Sequence, residues 1–277
     1  MSGQRGYTVQ KWQASRGVVT DAGYFASRRH LIHGLIELDV TDIRLYIRSQ
    51  KSKNVSLSFT GFVIKCLADT ISKHPMAHAY TNFWGNKIII PNSVDVVTMI
   101  ETEKDSVALP HIVRNANSKS FEEISREIDT VKHEPKRSEQ ENFFRKIGPY
   151  FPTFFRRMYF RYLLWNPLRM TKQMGTTVVS SVGMFGNGPG WAVGFLPFHT
   201  MGIFVGGITK RPILVDKGSE SGKVFEDREH VCLTLMFDHD IMDGAPAARF
   251  TNDFKEVFQR SGSKFIASMK TTQSESE

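Results

Sequence analysis

The stretch Phe237-Asp238-His239-Asp240-Ile241-Met242-Asp243-Gly244 decides how the rest of the chain is read, because it sets a histidine and an Asp-Gly pair four residues apart at the junction of two periodicities. Upstream, Val231, Leu233, Leu235 and Phe237 alternate with Cys232, Thr234, Met236 and Asp238, the period of a strand with two different faces. Downstream, Pro246 stands where a first helical turn accepts proline, and Phe250, Phe254, Val257 and Phe258 recur at helical spacing. His239 is therefore expected at a strand end, its backbone held by the sheet and its ring free to face a cavity. Imidazole titrates near neutrality, so a positioned histidine can take a proton from a thiol or hydroxyl and return it. Asp243 is close enough to fix a local turn or to hold a cation near the ring. Gly244 permits a backbone conformation or close approach that a Cβ would obstruct. Taken alone, a histidine near an aspartate is more often a satisfied structural residue than a catalytic one.

The remaining chain reads as one mixed α/β domain. At 277 residues and 40% hydrophobic content it can bury a sizeable core. It carries no apolar run long enough to span a bilayer and no secretory signal, so cytoplasmic residence is the default expectation. Cys66 and Cys232 lie in apolar patterns without metal-ligand spacing or a redox pair, and are expected as core thiols; no metal site is expected. Ile43, Tyr46 and Ile47 predict a short helix over 41–49, and Thr60 begins a longer apolar one. Trp84-Gly85-Asn86-Lys87 offers a two-residue hairpin turn. Ser120-Phe121-Glu122-Glu123 is a capping-box pattern ahead of a helix with Phe121, Ile124, Ile128 and Val131 on one face. A charged linker covers 133–141, and the Ser/Glu/Lys/Gln-rich residues 269–277 are expected to fray.

Residues 142–172 stand apart. They carry Arg145, Lys146, Arg156, Arg157, Arg161, Arg169 and Lys172 with no Asp or Glu, +7 against +8 for the whole chain, interleaved with ten aromatic residues. Three uses fit: an amphipathic helix facing lipid or an acyl chain, a cap over the phosphates of a nucleotide-like cofactor, or helices that pack their aromatics on the core and leave arginines outside. No recognition motif accompanies the charge, which argues against nucleic-acid binding.

The His-x-x-x-Asp-Gly motif followed by Ala247-Ala248-Arg249-Phe250 resembles the catalytic signature of the dihydrolipoamide acyltransferase core of 2-oxo acid dehydrogenase complexes, a family related to chloramphenicol acetyltransferase. The resemblance extends in order over most of 16–260. It takes in Ile32-His33-Gly34 leading to Leu38-Asp39-Val40-Thr41, the helix from Ser58 to His74-Pro75, a pair of central strands over 94–101 and 108–116, and the serine strand Gly175-Thr176-Thr177-Val178-Val179-Ser180-Ser181-Val182-Gly183. It implies a chloramphenicol acetyltransferase-like mixed sheet covered by helices over 16–268, after an N-terminal extension over 1–15, with 142–172 as an insertion. It further implies a homotrimer whose active sites lie between subunits, acyl-coenzyme A as substrate, and a small-molecule or lipoyl-domain acceptor.

By the same resemblance His239 is the general base and Ser180 the oxyanion-stabilising donor, with Ser181 as the fallback one place along the strand. Asp243 matches a carboxylate that supports the site through an arginine, for which Arg16 is the first choice and Arg28 and Arg29 are alternatives; Gly244 completes the supporting set. Coenzyme A contacts are not assigned to residues. Asp240 stands where the dehydrogenase-complex members usually have arginine, which leaves the proton chemistry intact and the acceptor open. Residues 1–15 are too short for a lipoyl domain, so no covalently attached lipoyl group is expected here and such a group would arrive on another chain. Glycine-rich 183–190 lacks the Gly-x-x-x-x-Gly-Lys pattern and is read as a turn beside the serine strand. The rival reading is a non-catalytic trimeric scaffold or membrane-surface protein that keeps the fold, with peripheral membrane contact through 142–172.

Overall fold

A computed structural model of the chain describes residues 7–14, 16–100, 108–134, 150–182, 188–216 and 222–274. In chain order its elements begin with helix α1 (Arg16–Ala26), strand β1 (Leu31–Asp39), helices α2 (Thr41–Ser52) and α3 (Phe59–Lys73), and the short strands β2 (Tyr80–Thr81) and β3 (Ile88–Ile89). Strands β4 (Val96–Ile100) and β5 (Leu109–Val113) follow, then helices α4 (Phe121–His133), α5 (Thr153–Trp165) and α6 (Pro167–Met174). Strands β6 (Thr177–Ser181), β7 (Met201–Asp216) and β8 (Lys223–Asp238) and helix α7 (Gly244–Ser274) complete the chain.

The alternating stretch before His239 is the end of β8, at the interior of a sheet of order β1-β8-β7-β6-β4-β5. Pairing is parallel between β7 and β6 and between β6 and β4, and antiparallel elsewhere, so the sheet is mixed as expected. Val231, Leu233, Leu235 and Phe237 join Phe62 and Leu67 of α3 and Phe250, Phe254 and Phe258 of α7 in the main core. The other face carries Phe204 and Met236, covered by Leu196 from the segment that precedes β7. Both faces of β8 are thus filled, which is why Cys232, Thr234 and Met236 are buried as fully as the core-facing set. That covering segment can lie close to the sheet because Gly206 and Gly207 mark a bulge in β7. A Cβ on either would come within 2.1 Å of a carbonyl oxygen, Gly190's or Gly188's, and the Gly207 amide donates to Gly190 at 2.8 Å.

Several local readings hold. Ser120 and Glu123 form the capping box of α4, the Ser58 hydroxyl caps α3 by accepting from the Gly61 amide, and both cysteines are free and buried. Others change. The strands expected at the centre, β4 and β5, run to one edge of the sheet formed by the described residues. The hairpin turn is wider than two residues, because the Asn82 side chain accepts from the Asn86 and Lys87 amides and holds Phe83 and Trp84 outward. Helix α7 continues past Met269 to Ser274. No helix among the described residues is long and apolar enough to cross a membrane. Residues 135–149, which hold most of the expected linker and the start of the basic segment, lie outside the described residues, as do 183–187 of the glycine-rich turn.

Candidate active site

His239 follows the last residue of β8, and its amide donates to the His30 carbonyl at 2.8 Å, so the sheet edge fixes its backbone. Its ring is half exposed. Nδ1 lies 3.8 Å from Asp243 Oδ1, and no described residue bonds Nε2. The turn that connects His239 to α7 is closed by the Ile241 and Met242 amides, which donate to the Asp238 carbonyl at 3.1 and 2.9 Å. The Asp243 carbonyl then accepts from Ala247 at 3.1 Å and starts the helix, which puts its carboxylate at the positive end of the helix dipole.

The arginine that braces this turn is Arg29, not Arg16, and it binds Asp238 rather than Asp243. Arg29 Nη2 pairs with Asp238 Oδ2 and also donates to the His199 carbonyl at 3.0 Å. Arg16 opens α1 and its amide donates to Gln13 at 3.0 Å, while Arg28 folds back on Tyr24. Among the described residues no ion pair links any of these arginines to Asp243, whose side chain is 81% exposed. An ion pair this exposed contributes at most about 1 kcal/mol, so within one chain Asp243 biases the ring and does not hold the turn. Asp238 is the group that sequence reading missed. Its signal was its place as the last residue of the β8 alternation, a polar group at a buried strand position.

Burial raises the Asp238 carboxyl above the ordinary aspartate range, and the Arg29 charge only partly opposes this. His199 is buried with its Nε2 donating to the Met174 carbonyl at 2.7 Å, and burial lowers it to about 4, so it is neutral beside Arg29. On the outer side, His30 Nδ1 meets Asp240 Oδ1 at 2.9 Å, and this hydrogen bond and charge raise the His30 pKa. Asp240 thus has its own local partner.

Ser180 lies elsewhere. It is aligned with Phe204 of β7, which is aligned with Thr234 of β8, so Ser180 sits two strands from β8 and five positions before His239. At about 3.3 Å per residue and about 4.8 Å per strand, the two are on the order of 15 Å or more apart. Ser180 shares its face with Phe204 and the covering segment, whereas Ser181, aligned with Val205, faces the main core. Gly244 also departs from expectation: a Cβ there would meet nothing within 4 Å among the described residues, so none of them requires the glycine. The chain therefore brings His239 and Asp243 together, and leaves Ser180 and Arg16 apart from them.

A sequence model of the 2-oxoacid dehydrogenases acyltransferase (catalytic domain) matches residues 32–141 and 168–265. The lipoamide acyltransferase component of the branched-chain alpha-keto acid dehydrogenase complex of Bacillus subtilis is 24% identical over 232 residues, 81% of this chain and 46% of the relative. The dihydrolipoyllysine-residue acetyltransferase component of the pyruvate dehydrogenase complex of Buchnera aphidicola is 26% identical over 211 residues, 76% of this chain and 44% of the relative. The chain thus spans about half the length of these relatives. Among solved structures, the cubic core of the pyruvate dehydrogenase multienzyme complex superposes with a TM-score of 0.66 at 16% identity, covering 93% of this chain and 94% of that one. The truncated catalytic core of the 2-oxoacid dehydrogenase multienzyme complex from Thermoplasma acidophilum gives 0.66 at 19% identity, over 91% and 98%. These structures share the fold.

Proposed function

Because the chain belongs to the 2-oxoacid dehydrogenases acyltransferase (catalytic domain) family, we propose that it moves an acyl group between coenzyme A and a thiol of the dihydrolipoyl type or another small acceptor. The observation that carries this is His239 itself: a backbone fixed at a strand end, one ring nitrogen toward a carboxylate and the other without a bond among the described residues. In that arrangement His239 takes the proton of the attacking thiol, and the thiolate adds to the thioester carbonyl. The tetrahedral oxyanion then collapses, the carbon–sulfur bond to the leaving thiol breaks, and the imidazolium returns its proton to that sulfur. Asp243 stabilises the transient imidazolium, modestly because of its exposure.

The oxyanion donor in this reading is Ser180 of a neighbouring copy, in a homotrimer whose sites lie between chains. The register supports it, since Ser180 cannot reach the His239 of its own chain. So does the open space at Gly244, where approach by substrate or neighbour would give the missing Cβ a purpose. Trp191, Val193 and Phe195, exposed on the segment that covers the Ser180 face, supply apolar surface for such a contact. A lipoyl acceptor would be presented by another domain or chain. The test is an assay of purified protein against a panel of acyl-coenzyme A thioesters with dihydrolipoamide, amine and hydroxyl acceptors. Acyl transfer with at least one thiol acceptor is expected, and no transfer across the panel overturns the reading.

A further inference from the structure

Helix α5 buries an arginine among its inward apolar side chains and turns a second apolar stripe to the surface. Arg156 points inward, where its Nε donates to the fully buried Asp21 of α1 at 2.6 Å, beside buried Phe160 and Leu163. Arg157 Nε takes the other Asp21 oxygen at 2.9 Å. The outward stripe is instead Phe154, Met158, Tyr162 and Trp165, at the three- and four-residue spacing of one helix face, with Phe154 71% and Trp165 60% exposed. Phe83, at the tip of the β2–β3 hairpin, packs its ring 5.2 Å from Trp165 and sits next to Trp84, itself 78% exposed. The reading of aromatics packed on the core with arginines outside thus holds only in part: Phe160 and Leu163 pack inward with Tyr159 and Leu164 against them, but Asp21 draws in Arg156 and Arg157, and Phe154, Tyr162 and Trp165 stay exposed.

The stripe is edged by cations. Arg161, Arg169 and Lys172 are exposed, and the Arg169 guanidinium lies 4.2 Å over the Tyr162 ring. Residues 150–174 contain five basic and no acidic residues, and α5 falls between the two stretches matched by the family, 32–141 and 168–265. A second copy docking symmetrically on this stripe would set arginine against arginine with no carboxylate from 150–174 to compensate them. An anionic lipid surface supplies that compensation and takes aromatic side chains at headgroup depth.

We propose that α5 and the β2–β3 hairpin tip form a peripheral membrane-binding surface for an anionic phospholipid bilayer. Phe160 of α5 stacks at 5.1 Å on Phe198, the residue before His199, so the surface belongs to the end of the sheet that carries Arg29, Asp238 and His239. Seating it on a bilayer brings the His239 site to the membrane. The proposal does not depend on the acyltransferase reading.

Sedimentation of the full chain with phosphatidylcholine vesicles, with and without phosphatidylglycerol, tests it. Binding is expected only with phosphatidylglycerol and is reversed by high salt. The double variant Phe154→Asp with Trp165→Asp should weaken partitioning by ~10-fold or more. Arg161→Gln and Arg169→Gln should each weaken it about fivefold. Circular dichroism of each variant verifies that the fold is kept. Absence of binding to phosphatidylglycerol vesicles, equal binding to both vesicle types, or binding indifferent to both sets of variants each overturns the proposal. So does a change of oligomeric state on size-exclusion chromatography in Phe154→Asp/Trp165→Asp, which would make the stripe a contact between copies.

Discussion

The Arg29 guanidinium closes on the Asp238 carboxylate one residue before His239, with side chains only 17% and 7% exposed. The pair ties three parts of the chain together: the link between α1 and β1, the end of β8, and the segment before β7, through the His199 carbonyl that Arg29 also binds. Position of the His239 backbone therefore depends on a buried ion pair next to it in sequence, and much less on the exposed carboxylate four residues further on.

Breaking one side of a buried pair leaves an uncompensated charge, which costs on the order of 3–5 kcal/mol. Asp238→Asn or Arg29→Met should lower unfolding free energy by about that amount in urea titrations. Asp243→Asn should cost less than about 1 kcal/mol, since its 3.8 Å pair with His239 is solvated. A larger loss in Asp243→Asn than in Asp238→Asn would reverse the assignment.

Acid should weaken the fold through its buried histidines. Burial lowers His199 and His78 to about 4, while in the unfolded chain each titrates at its ordinary 6.5. Below 6.5 the unfolded chain binds protons that the folded chain refuses, so stability is full above that pH and falls toward about 4. Each histidine contributes a slope of up to about 1.4 kcal/mol per pH unit in that window. Asp238 works in the opposite sense, because its raised pKa lets the folded chain take up a proton first. Urea unfolding from neutral to mildly acid pH should show the decline, and His199→Gln should flatten it by about one histidine's share. An unchanged slope in that variant would mean His199 is already protonated or accessible in the folded protein.

The turn at His239 and the strand and helix around it were legible because alternation, helical spacing and Pro246 are local signals. The capping box at Ser120 and the cap at Ser58 were legible for the same reason. What was not legible is tertiary. Arg16, Arg28 and Arg29 are equivalent in sequence, and only the pairing of β1 with β8 brings Arg29 and His30 against Asp238 and Asp240. The inward turn of Arg156 depends on Asp21, 135 residues away, which no pattern within α5 announces. The edge position of β5 likewise follows from sheet order, which spacing does not encode.

His239→Ala should reduce acyl transfer by about two to four orders of magnitude, the usual contribution of a general base. Its ring is half exposed and only its backbone is bound to the sheet, so the thermal midpoint should stay near that of the parent. Near-parental turnover with an acceptor established for the parent would remove His239 from the chemistry.

Ser180 carries the sharpest consequence of the register. Loss of one oxyanion donor costs ~10²-fold to 10³-fold in turnover with little change in thioester affinity, because the donor is needed when charge develops on oxygen. Ser180→Ala should show that split in kcat against KM. Ser181→Ala should not, since Ser181 is aligned with Val205 on the core-facing side of β6. Because Ser180 lies two strands and five positions from the His239 of its own chain, the two should act across a subunit boundary. Mixing Ser180→Ala chains with His239→Ala chains, each crippled alone, then creates sites that have an intact serine from one chain and an intact histidine from the other. Activity should return in mixed assemblies formed by co-refolding or co-expression. Mixed assemblies that stay inactive would place the serine and the histidine in separate sites and return the oxyanion role to another donor.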